Sequence, residues 1–144
     1  MNLIAHATDG SDEARAALDL AIELCKETGA SLAVISVKPP LPAGKGIALP
    51  INEVEEPQGA EHIAAAAAEI ARAAGLKAET YAPHGDPATE IAATADRLGA
   101  DLLVVGSRGF GAVHGALVGS VSRALMKRSK VPVTVVTERT RTTA

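Results

Sequence analysis

The 144-residue chain suits a single hydrophobic core, and 47% hydrophobic with 22% charged residues is the composition of a folded globular domain rather than a disordered segment. A net charge of -3 and an aromatic content of 1% exclude the basic groove and stacking platforms of single-stranded nucleic-acid binders, so no nucleic-acid partner is expected. No apolar run approaches membrane-spanning length, acidic residues arrive early at Asp9, Asp12 and Glu13, and the lone Cys25 has no disulfide partner. A cytoplasmic protein without a membrane partner is the expectation.

Short β-branched runs alternate with longer stretches of helical period, which predicts βα units around a parallel sheet. Residues 2–7 read as the first strand. Ser11 is placed to cap the next helix, Asp12 and Glu13 suit its positive end, and Ala14, Ala17, Leu18, Ala21, Ile22 and Cys25 mark its buried face. Gly29 closes that helix in a left-handed conformation, and a buried thiol is expected at Cys25. Residues 31–37 form the second strand, a nearly continuous apolar run. Pro39 and Pro40 stop it, and five prolines with Gly44 and Gly46 leave no regular element before Gly59.

Residues 60–74 predict an Ala-rich helix with a stripe of Ile63, Ala67, Ile70 and Ala74, ended by Gly75. Residues 77–82 alternate in polarity and suit an edge strand. Asp86 followed by Pro87 starts a third helix with Ile91, Ala92, Ala95 and Leu98 inward. The unbroken Leu102-Leu103-Val104-Val105 run is a central strand. A glycine-rich stretch from Gly106 to Gly119, a helix over 120–128 and a last strand over 131–136 complete an α/β fold of five strands and four helices.

The pattern with chemical content is Gly106-Ser107-Arg108-Gly109, nine residues, then Gly119-Ser120, placed between a central strand and a helix. Glycines admit backbone N–H groups close to an oxyanion, a helix N-terminus adds unpaired donors with partial positive charge, and open parallel sheets bind ligands at the carboxyl ends of their strands. These features describe a phosphate site; the alternative is that the glycines only form turns and let a helix pack tightly. The chain contains neither the P-loop pattern nor the dinucleotide Gly-x-Gly-x-x-Gly pattern. Arg108 and His114 lie in the same loop as exposed side chains or phosphate contacts, and His6, His62 and His84 have no metal-ligand spacing with one another or with Cys25.

At these residues the chain resembles the universal stress protein family, whose hallmark is Gly-x-x-Gly, nine residues, then Gly followed by Ser or Thr. The resemblance extends to Ala7-Thr8-Asp9-Gly10-Ser11, Ile35-Ser36-Val37, Gly85-Asp86-Pro87 and Val131-Pro132-Val133. It implies an open five-stranded parallel sheet in the order 3-2-1-4-5, with four helices on its two faces, and a homodimer paired through Val131 to Val136. It also implies an adenine-nucleotide site in the ATP-binding subgroup, for ATP, ADP or AMP, with Mg²⁺ or Mn²⁺ carried on the phosphates. The implied site is Ala7, Asp9, Val37, Gly106, Arg108, Gly109, Gly119, Ser120, Val121 and Ser122, with Asp9 toward base and ribose and the backbone at Val37 toward adenine. A turn or cap role is the other reading of Asp9.

No Gly-x-Ser-x-Gly elbow and no carboxylate pair stand beside the glycine loop, so the motif supplies binding more than turnover. A nucleotide-binding stress regulator or sensor is the leading expectation. A slow ATPase and an interaction module without nucleotide are the alternatives.

Overall fold

The computed structural model describes residues 1–38, 59–107 and 118–137. Nine elements follow one another: β1 (Leu3–Ala7), α1 (Asp12–Thr28), β2 (Ser31–Ile35), α2 (Ala60–Ala73), β3 (Ala78–Tyr81), α3 (Pro87–Arg97), β4 (Leu102–Gly106), α4 (Ser120–Arg128) and β5 (Val133–Val136). The strands form one parallel sheet in the order β3-β2-β1-β4-β5, as expected, with β1 between β2 and β4. The winding direction therefore reverses between β1 and β4, the position where doubly wound sheets open a crevice for a ligand.

Strand residues alternate between two cores because successive side chains point to opposite faces. Ile4, Leu32, Val34 and Val104 pack with the inward stripes of α1 and α2, including Leu18 and Ile22. Ala5, Ile35, Leu103 and Val105 pack with Ile91 of α3 and Leu125 of α4. Each fully buried branched aliphatic side chain contributes about 1.5–3 kcal/mol, so these two layers are the main source of stability.

Local signals set the helix ends. Ser11 Oγ accepts a hydrogen bond from Ala14 N (3.2 Å), and Gly29 closes α1 at φ 78°. Asp86 accepts bonds from the Thr89 hydroxyl (2.8 Å) and amide (3.1 Å), which hold its carboxyl below the usual range. Asp101 Oδ2 accepts from the amides of Asn2 (2.7 Å) and Leu3 (3.1 Å), tying the entry of β4 to the start of β1.

Three expectations change in detail. The buried face of α2 is Ala64, Ala67, Ala68 and Ala71, with Ile63 and Ile70 at its margin, because side chains as small as Ala let the helix sit flat on the sheet. Strand β2 ends at Ile35, although Ser36 and Val37 stay buried beyond it. Strand β5 begins at Val133, with Val131 buried ahead of it. Cys25 is buried as expected, and burial pushes its thiol up to about 11.

The two sheet edges are treated differently. Lys77 and Tyr81 turn their carbonyls to β2, so the Ala78 carbonyl lies on the outer side of β3. Arg72 of α2 covers it with two donors, Nε at 3.2 Å and Nη2 at 2.7 Å. That contact occupies one outward carbonyl of the β3 edge.

His6, in the middle of β1, is fully buried. Its Nδ1 lies 3.0 Å from the Val104 carbonyl, an acceptor, so Nδ1 carries the proton and Nε2 is a bare acceptor without a donor. Burial lowers its pKa to about 4, against the hydrogen bond to Val104 and the weaker influence of Asp19 and Asp9. The unfolded chain takes up this proton near 6.5 and the folded chain only near 4, so stability is full above 6.5 and falls as pH drops through that interval. Chemical denaturation should show a loss of about 3 kcal/mol from this group between pH 6.5 and 4, absent in His6→Val. Identical pH profiles for the two proteins would contradict the assignment.

Candidate functional site

The expected site residues that the structure describes gather at the carboxyl ends of β1, β2 and β4. Ala7 and Val37 are buried in the α3–α4 core layer, and Thr8 N donates to Ile35 O (2.9 Å), joining the ends of β1 and β2. Asp9 is half-buried and uses Oδ1 to accept from Ser11 N (2.9 Å), so it builds the turn into α1. The turn role weighed from the sequence is therefore real, and the carboxylate stands at the strand end as expected. Gly10 follows at φ 83°, a conformation that favours glycine.

Gly106, the last residue of β4, takes the packing role weighed for these glycines. A Cβ there would lie 2.9 Å from both C and O of Glu13 and 3.1 Å from Ala14 N. The missing side chain lets the first turn of α1 rest on the end of β4. Tight helix packing is thus the task the structure shows for Gly106.

A short hydrogen-bonded staple then positions α4. Ser107 N donates to Val136 O (2.8 Å), Gly119 N donates to Ser107 O, and Ser122 Oγ donates to Gly106 O (2.7 Å). Ser122 is buried and gives its hydroxyl proton to Gly106, so its part is to hold the helix start against β4. Ser107 was not singled out from the sequence as a support; its place inside the glycine motif was the available signal. Ser120 is exposed at the first helical position. Arg108 and Gly109, together with His114 and the 39–58 stretch, lie outside the described residues.

The N-terminus of α4 differs from those of the other described helices. α1 and α3 are capped by Ser11 and Asp86, and α1, α2 and α3 each carry an acidic residue in the first turn. α4 has Gly119 at its N-cap, no capping side chain and no acidic first-turn residue. The first helical hydrogen bond runs from Arg123 N to Gly119 O, so the amides of Ser120, Val121 and Ser122 precede it. Their partial positive charge meets no acidic side chain in the helix's own first turn, beside the winding reversal. Among the described residues no three His, Cys, Asp or Glu side chains form a metal-binding cluster.

The fold is an open parallel α/β domain with an uncapped, acid-free helix start at the carboxyl end of its sheet. Residues 1–137 match the family model "Universal stress protein family", and the chain belongs to that family. It is 35% identical over 142 residues to universal stress protein YxiE of Bacillus subtilis, covering 90% of this chain and 95% of that one. It is similar to the solved structure of a universal stress protein in complex with cAMP, at 30% identity and TM-score 0.69, covering 94% of this chain and 95% of that one. A second solved structure, the universal stress protein from Archaeoglobus fulgidus in complex with dAMP, matches at 25% identity and TM-score 0.68, covering 94% and 97%. No described helix is long and apolar enough to cross a membrane.

Replacing Gly106 by Ala should destabilise the fold by roughly 1–3 kcal/mol, since overpacking against backbone forces α1 to shift. Thermal or urea unfolding checks it. An unchanged midpoint would show that the contact between α1 and β4 is slack.

Proposed function

We propose that this protein is a cytoplasmic adenine-nucleotide-binding stress regulator of the ATP-binding subgroup, taking ATP, ADP or AMP at the start of α4. The observation that carries this reading is the uncapped, acid-free N-terminus of α4, fixed to the end of β4 through Ser122 and Gly106. Such a helix start suits an anion, and a chain of phosphates presents one. The relatives solved with cAMP and dAMP support the adenine nucleotide class.

In this reading the amides of Ser120, Val121 and Ser122 and the Ser120 hydroxyl take the phosphates, Gly106 and Gly119 set the start of α4 through their own backbone bonds, and Arg108 and Gly109 complete the motif. Asp9 takes ribose hydroxyls, a role that keeps a carboxylate away from the phosphates, and Ala7 and the backbone of Val37 frame the base. A divalent cation, Mg²⁺ or Mn²⁺, would ride on the phosphates, because the donor set is made of amides and hydroxyls. These groups hold an anion without supplying a general base, so binding rather than turnover is the function proposed.

Calorimetry with ATP and Mg²⁺ should give saturable binding to the wild type, weakened roughly tenfold or more in Gly119→Val, whose side chain obstructs the cradle. Equal affinity in the two proteins would remove the phosphates from this site, and no heat with the wild type would defeat the nucleotide reading.

The homodimer belongs to the same reading. Leu103 N takes the Pro132 carbonyl and Ser107 N the Val136 carbonyl, so the amides and carbonyls of Val133 and Val135 lie on the outer side of β5. Arg72 takes the outward Ala78 carbonyl on β3, and the apolar β5 edge is the one read as pairing with a second copy. Sedimentation should give a mass near twice 14.6 kDa, reduced to one copy by Val135→Pro. A wild-type monomer at micromolar concentration would contradict the pairing.

A further inference from the structure

His6 is a buried titratable group that the nucleotide site does not use. It pairs in register with Val34 of β2 and Val104 of β4, on the sheet face covered by α1 and α2. Two residues along that face stands Thr8, which lines a groove of about 390 Å³ between α1 and α2 with Ala14, Leu18 and Ile63. The charged groups that reach the ring are Asp19 on α1, half-exposed, and Asp9 in the turn after β1. From β2 and β4 the register neighbours are the apolar Val34 and Val104, while Asp12 and Arg15 of α1 and His62 of α2 stand on the groove lining.

A protonated imidazole has two N–H donors. Nδ1 has the Val104 carbonyl, and Nε2 has no acceptor in the closed structure. Its second proton is accommodated only where water reaches the ring, and the groove at Thr8, two residues on, opens on the same face. The first turn of α1 borders the groove at Ser11, Asp12, Ala14 and Arg15, and the same turn rests on Gly106. Gly106 in turn receives the Ser122 hydroxyl at the start of α4.

We propose that protonation of His6 releases the first turns of α1 from the sheet while the strands stay paired, and that acidification thereby weakens nucleotide binding at the cradle. The second half rests on the nucleotide reading above; the first does not. The device is a linkage, because any state that wets the ring binds the proton more tightly than the closed state. With the ring titrating near 6.5 when wetted and near 4 when closed, opening is favoured about 30-fold more at pH 5 than at pH 7.5.

Hydrogen exchange on the full chain at pH 7.5 and 5, corrected for intrinsic rates, tests this in wild type, His6→Val and His6→Gln. The expected result is a loss of protection of about 30-fold at pH 5 in the first hydrogen-bonded amides of the two helices in the wild type, from Ala14 and Arg15 on in α1 and from Arg123 on in α4, with a smaller loss in β1 and β4. Neither variant should show it, and His6→Gln keeps the test open should His6→Val fail to fold. An equal loss across every element, or the same loss in a variant, overturns the proposal. Saturating ATP should restore protection at pH 5. ATP that binds at pH 7.5 with the same pH dependence in wild type and His6→Gln overturns the coupling to the cradle. Absence of ATP binding at pH 7.5 defeats the nucleotide reading, and the exchange pattern then decides for or against release of α1 by itself.

Discussion

The rest of the structure depends on the approach of the first turn of α1 to Gly106 at the end of β4. With no side chain at Gly106, the backbone of Glu13 and Ala14 comes within a distance that a Cβ would violate. That approach sets the spacing between α1 and the sheet at the winding reversal, where β1 and β4 lie side by side. It also places the turn built by Asp9 and Ser11 near the strand end from which Ser122 positions α4. One absent side chain thus links the packing of a helix to the geometry of a site. A close-packed interior transmits such a constraint because it has little free volume in which to absorb a shift.

Electrostatics makes the same end of the sheet receptive. The sequence supplies caps or first-turn acids at α1, α2 and α3 and withholds both at α4. A helix start with no acidic residue in its first turn, anchored by two hydrogen bonds to Gly106 and Ser107 rather than by a cap, is suited to an anion. Membership of the universal stress protein family and the likeness to relatives solved with cyclic and deoxy adenosine monophosphates agree with that suitability.

Much of the fold was legible because the relevant signals are local. Ser11, Asp86 and Gly29 act through bonds within a few residues, and the Leu102–Val105 run has the composition of a strand buried on both faces. The inward face of α2 was less legible: where nearly every side chain is Ala, the hydrophobic stripe is shallow and contact with the sheet decides the rotation. The glycine spacing marked the β4–α4 connection, yet the task of each residue in it was not legible. Whether Gly106 serves a ligand or a helix depends on a crossing between elements 92 or more positions apart in the chain, Ala14 to Gly106. Whether a serine hydroxyl points outward, as an exposed Ser120 can, or is used on a buried carbonyl, as in Ser122, depends on which side of α4 meets β4. His6 looked unremarkable between two alanines, and only burial on both sides reveals its bare nitrogen.

The proposed function rests on phosphate being held by the start of α4. Its most direct test is residue-resolved NMR of the labelled full chain titrated with ATP and Mg²⁺. The largest saturable shifts should fall on the amides of Ser120, Val121 and Ser122, with Gly106 and Ser107 following. Shifts confined to the groove between α1 and α2, or none at saturating nucleotide, would contradict the account.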